Sequence, residues 1–227
     1  MSNCYAQCLG NCSGKISREH YISRSLLELS VDADNKVMVD GLLSKDGLKL
    51  STLNTAVAKV LCETHNNFLS EYDSSFSALV KELMEFNLES TDKILEVCGE
   101  EITLWLVKAF LGRVAAENNQ ENIYQGSNQF DYLVNVLFQK LHFNESLGFT
   151  LAVEDPPAET HREGGFPPWA TSIQKSNGII VGFKAWVYPF SFVFLLPGIG
   201  GGELRPSGCL FNVTGPDPRK LEFRITW

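Results

Sequence analysis

At 227 residues the chain exceeds the usual size of one domain, which favours a small module followed by a larger one and leaves ample length to bury a core. Hydrophobic residues make up 44% and charged residues 20%, which excludes the sparse, highly charged composition of a disordered chain. A formal net charge of −8 argues against a protein that coats nucleic acid non-specifically, because such binding depends on Lys and Arg neutralising phosphates.

The N-terminal segment is polar and carries no apolar run of the secretory kind, so a cytoplasmic, reducing environment is expected. Cysteines stand at positions 4, 8, 12, 62, 98 and 209, and clustered cysteines in such an environment read as metal ligands before disulfides. The first fifty residues are turn-rich, with Gly10-Asn11 and Ser13-Gly14 punctuating short extended pieces at 15–20 and 36–39. Lys15, Arg18 and Arg24 stand against Glu19 alone in the first 25 residues, a locally basic stretch in an acidic protein.

From Leu50 the residues Leu53, Val57, Val60 and Leu61 recur at helical steps, with Ser51 or Thr52 as a cap, and predict a helix. Phe68, Leu69, Tyr72, Phe76, Leu79, Val80 and Leu83 continue that period and predict a second helix opening close to His65. Ser90-Thr91-Asp92 predicts another start, leading through Ile94, Leu95, Ile102, Trp105 and Phe110, and a further helix is expected from Phe130 to Leu141. Beyond Leu147 short runs rich in Val, Ile, Phe and Trp alternate with Pro and Gly clusters, which predicts a β-rich C-terminal region. The apolar stretch 181–199 is interrupted by Lys184, Pro189, Pro197 and Gly198, so it reads as buried strands rather than a membrane span, and no membrane partner is expected. Gly198 to Gly202 precedes no helical pattern and carries little weight as a phosphate loop.

Zinc takes four tetrahedral N or S ligands, commonly as two short-spaced pairs. Cys62 and His65 form one pair. The N-terminal side offers Cys4, Cys8 and Cys12, of which Cys8 with Cys12 is favoured because Gly10 and Asn11 give a tight turn between them, and Cys4 can substitute for either. Cys98 and Cys209 lie in apolar surroundings and read as core residues.

Between the pairs stands Arg18-Glu19-His20-Tyr21, an acid beside an imidazole, and after them runs Leu61-Cys62-Glu63-Thr64-His65-Asn66-Asn67. Taken together, over about residues 4–75, this arrangement resembles the HNH (ββα-metal) nuclease family: a zinc knuckle, an acid-His or His-His pair ending a strand, a loop, then a Leu-Cys-x-x-Cys/His step followed by Asn or His opening a helix. The resemblance implies a metal-dependent endonuclease acting on DNA. His20 would be the general base, Glu19 and Asn66 would hold a catalytic Mg²⁺ or Mn²⁺, and the zinc would be structural. Asn67 competes with Asn66 for the ligand role. Asn54 is the match to the family's orienting Asn, at a longer separation from Asn66 than the family has, and His65 stands where a second Cys is commoner.

The fold class expected is therefore α+β: a small zinc-stabilised ββα-metal module over residues 1–85, then a helical and finally β-rich accessory region over 86–227. That region would serve substrate choice, regulation, a protein partner or self-association, the last through the aromatics of Phe183 to Phe194. By analogy such a chain would suit an antiviral defence or restriction-like system. A zinc-stabilised interaction module without chemistry is the competing reading, and an RNA-cleaving enzyme with the same site is a third. His161-Arg162-Glu163 reads as a solvated loop, His142 as a helix-end residue, and Asp73 as a candidate support for the site from the following helix.

Overall fold

A computed structural model describes residues 4–18, 20, 22–31, 36–40, 48–53, 57–88, 91–116, 127–143, 147–154, 169–199, 204–213 and 218–227. Glu19, Asn54 and the 161–163 loop lie outside the described residues, as do Gly200 to Gly202. The protein is α+β, with helices and sheets both well represented. In chain order the elements are α1 (Arg24–Glu28), β1 (Lys36–Asp40), β2 (Leu48–Thr52), α2 (Glu63–Phe68), α3 (Ser70–Leu88), β3 (Lys93–Cys98), α4 (Gly99–Ala116) and α5 (Asn128–Leu137). Strands β4 (Thr150–Val153), β5 (Trp169–Ser176), β6 (Ile179–Val187), β7 (Phe190–Leu195), β8 (Gly208–Val213) and β9 (Arg219–Thr226) complete the chain.

Two compact units emerge, one from residues 1–74 and 107–143 and the other from 75–106 and 144–227. This division differs from a linear one after residue 85, which falls inside α3. The first unit contains the N-terminal knuckle, the antiparallel hairpin β1–β2 paired from Lys36↔Thr52 to Asp40↔Leu48, helix α2, and α5. Its α5 begins where the Ser127 hydroxyl accepts from the Phe130 amide, and it buries Phe130, Leu133, Val134 and Leu137 at the three- and four-residue steps of one helical face.

Two expectations are corrected here. Residues 50–52, expected to open a helix, lie in β2 instead, and 57–61 are not helical. Residues 93–98, expected to lie in a helix, form β3: Leu95 is buried while Ile94 and Glu96 are exposed, a two-residue alternation that a sheet satisfies.

In the second unit β3 pairs in parallel with the last strand, β9, which pairs antiparallel with β8. The other sheet is antiparallel throughout, in the order β4-β7-β6-β5. The stretch expected to be buried strands becomes β6 and β7, and Phe183, Phe190, Phe192 and Phe194 are fully buried. Phe76 and Trp105 stack at 3.7 Å and 3°, and Phe192 meets Phe149 and Phe223 at 5.5 and 6.0 Å. Each such ring contributes about 1.5–3 kcal/mol by leaving water. No helix among the described residues is long and apolar enough to cross a membrane.

Candidate metal centre

The N-terminal knuckle is stitched to residues 60–65 by backbone pairing. The Tyr5 amide donates to Val60 O at 2.8 Å, the Ser17 amide to Leu61 O at 2.8 Å and the Glu63 amide to Lys15 O at 3.1 Å, while Ile16 bridges antiparallel to Cys62. These bonds fix Cys4 beside Cys62. Between Cys4 and Cys12 the chain makes a 3-10 turn, Gln7–Leu9, closed by Gly10 at φ 80°, a conformation that costs glycine little. Cys8 lies on that turn and is exposed.

The result brings together Cys4, Cys12, Cys62 and His65, whose ligand atoms all lie within 4.8 Å of one another. His65 Nδ1 stands 3.2 Å from Cys62 Sγ, 3.3 Å from Cys4 Sγ and 3.7 Å from Cys12 Sγ. A tetrahedral zinc site with Zn–S near 2.3 Å and Zn–N near 2.0 Å has S···N edges of about 3.6 Å, so the donors are spaced as one small ion requires. Three sulfurs and one imidazole suit a zinc-like ion, and among the described residues no carboxylate enters the set. The group can therefore hold a metal such as zinc. The favoured Cys8–Cys12 pair is corrected to Cys4 with Cys12, because the 3-10 turn carries Cys8 to the surface while backbone pairing anchors Cys4 inside.

Protonation follows the surroundings. Burial pushes the Cys4 thiol up to about 12. Burial also works to raise Cys62, but hydrogen bonds from the His65 amide and from Ser13 outweigh it and bring that thiol to about 7. Burial, aided by the Lys140 charge, holds His65 below its ordinary value, which favours the neutral ring that a metal needs. His65 is buried, with the Phe138 ring edge-on at 4.9 Å.

His20 lies in the same unit. Its Nε2 is 3.1 Å from Leu53 O; a carbonyl only accepts, so Nε2 carries the proton and Nδ1 keeps its lone pair. Burial holds His20 below the usual imidazole range, with Arg24 and Lys108 acting in the same sense and the Leu53 carbonyl and Asp73 opposing them. Three residues after His20, the Ser23 hydroxyl donates to Asp73 Oδ1 at 2.7 Å. Lys108 Nζ donates to both Asp73 oxygens at 2.6 Å. Asp73 thus ties the segment after His20 to α3 and α4.

Asn66 and Asn67 lie within α2, which opens at Glu63 after Cys62, so neither is a helix-start cap. Asn66 is half-buried, and Asn67 is exposed with its carbonyl accepting from the Ser70 hydroxyl. Cys98 and Cys209 are half-buried rather than core residues. His142 lies beyond the end of α5. The sequence reading missed the role of Leu53, whose contribution is a backbone carbonyl and leaves no signal, and that of Lys108, whose signal was a single charge inside the apolar run from Trp105 to Leu111.

No protein-family model matches the chain, and neither curated proteins nor solved structures give a match.

Proposed function

We propose that the chain is a metal-dependent endonuclease of the HNH (ββα-metal) kind that hydrolyses DNA phosphodiester bonds, with a structural zinc on Cys4, Cys12, Cys62 and His65. The observation that supports it is the closure of the two ligand pairs around one point, which seats the segment leading to His20 against the strand-like residues before α2. In this reading that pairing would bring the base-bearing segment alongside the helix of the site.

In this reading His20 Nδ1, left free by the bond from Nε2 to Leu53 O, takes the proton of a water as that water attacks phosphorus and the bond to the 3′-oxygen breaks. A depressed pKa keeps the ring neutral, and so competent as a base, at neutral pH. The Leu53 carbonyl fixes the tautomer, a task the family gives to its middle Asn, and Leu53 immediately precedes Asn54 in the sequence. A Mg²⁺ or Mn²⁺ on Glu19 and Asn66 would supply polarisation of the phosphate and stabilisation of the leaving oxygen. The β-rich unit would serve substrate choice or partner contacts, as an effector in a defence or restriction-like system requires.

The test is cleavage of supercoiled plasmid by purified protein with Mg²⁺ or Mn²⁺, beside His20→Ala. The expected result is relaxation by the wild type and a loss of about 10²–10⁴-fold in the variant, with zinc content unchanged. Equal activity of the two proteins refutes the assignment of the base. A matched RNA substrate decides between nucleic acids, and inert wild-type protein holding zinc favours the interaction module, which the net charge of −8 also suits.

A further inference from the structure

His65 also makes a polar contact outside the set of four candidate ligands. His65 Nε2, on the far side of the ring from the sulfurs, lies 2.7 Å from Asn11 Oδ1. A carboxamide oxygen accepts and cannot donate, so Nε2 carries the ring proton and Nδ1 presents its lone pair. That lone pair points at the space bounded by Cys4, Cys12 and Cys62.

We infer that Asn11 is the positioning residue of the metal centre: its side chain locks His65 in the Nε2–H tautomer and makes Nδ1 the metal-binding atom. The inference rests on the metal reading above and deepens it. Imidazoles that bind metals generally donate their other ring N–H to a carboxylate or carbonyl, which fixes ring orientation and raises basicity. Here the acceptor is a neutral amide, and the reason lies in charge. Three thiolates on a divalent ion already leave the centre with one net negative charge, and an amide accepts the hydrogen bond without adding another.

The chain delivers this acceptor by the same turn that delivers the thiols. Gly10, at φ 80° and with its amide donating to Gln7 O at 3.0 Å, ends the 3-10 turn and sends Asn11 and Cys12 back toward His65. The turn displaces Cys8 from the cluster and installs Asn11 beside it. On the ring's other flank Phe138 packs edge-on, so the plane of His65 is set by one apolar and one polar contact. Asn11 is itself exposed, which means its substitution removes the hydrogen bond without opening the core.

The experiment uses the full chain and Zn²⁺ alone, with affinity read by competition against a chromophoric chelator for wild type, Asn11→Ala and Asn11→Asp. Asn11→Ala is expected to weaken zinc binding by about 10–100-fold, and Asn11→Asp, which keeps an acceptor oxygen, to stay within a few-fold of wild type. Nitrogen-15 spectra of the zinc-loaded wild type are expected to show His65 protonated at Nε2 and metal-bound at Nδ1. Unchanged affinity in Asn11→Ala overturns the inference, as does equal weakening in both variants, which would assign Asn11 to the shape of the turn. A His65 bound through Nε2 overturns it too. Wild-type protein that takes up no zinc refutes the metal reading itself, an outcome visible before any variant is made.

Discussion

Removing Asp73 is expected to destabilise the protein more than removing its cationic partner, although the two share one ion pair. Lys108 Nζ contacts both carboxylate oxygens at 2.6 Å, yet the side chains differ in exposure, 3% for Lys108 and 24% for Asp73. Asp73→Ala therefore strips two charge-assisted hydrogen bonds from an ammonium held almost wholly away from water, and such a loss costs about 3–5 kcal/mol. Lys108→Met replaces the buried cation with an apolar side chain of similar length. The carboxylate left behind is partly solvated and still accepts from Ser23, so the cost is about 1–2 kcal/mol. The double variant, with neither charge, is expected to recover part of the Asp73→Ala loss. Urea denaturation of the four proteins tests this. All four tryptophans, at 105, 169, 186 and 227, belong to the second unit, so fluorescence follows that unit and far-UV circular dichroism must be read beside it. A Lys108→Met cost equal to or above that of Asp73→Ala, or strict additivity in the double variant, would contradict this expectation.

Stability should also depend on pH through His20. Its folded pKa lies below the ordinary 6.5, so on acidification the unfolded chain binds the proton first; the contribution is complete above 6.5 and is lost as pH falls through the folded value. Denaturation between about pH 8 and about pH 5 is expected to show this decline, with a shallower slope in His20→Gln. In the second unit Phe76→Ala removes the ring stacked on Trp105 at 3.7 Å and is expected to cost about 3–5 kcal/mol in the same assay. A Cβ at Gly148 would stand 1.9 Å from Leu204 O, a backbone atom, whereas one at Gly14 would meet nothing within 4 Å. Gly148→Ala is expected to lower the melting temperature sharply and Gly14→Ala to leave it nearly unchanged.

The features legible in the sequence are those set by local pattern. The apolar period from Phe68 to Leu83 spans the end of α2 and most of α3, that from Phe130 gave α5, and the Val- and Phe-rich runs after residue 147 gave strands. What failed depends on partners distant in the chain. Val60 and Leu61 fall at helical spacing, but their carbonyls are taken by Tyr5 and Ser17, and no local period registers that competition. Lys93–Cys98 followed a helix-start signal, yet Lys93 pairs with Leu221 in a parallel register near the end of the chain. The same applies to the ligands. Clustering identified five candidates, but choosing Cys4 over Cys8 needed the bond from Tyr5 to Val60, and Asn11 read only as a turn residue because its partner lies 54 positions away.

Closure of the knuckle by one metal ion on Cys4, Cys12, Cys62 and His65 is tested by counting zinc per chain in native mass spectra of the purified protein and its single Cys→Ser variants. One zinc is expected in the wild type and in Cys8→Ser, and loss of that zinc in Cys4→Ser and Cys62→Ser. Zinc absent from the wild type, or retained in Cys4→Ser and lost in Cys8→Ser, would contradict it.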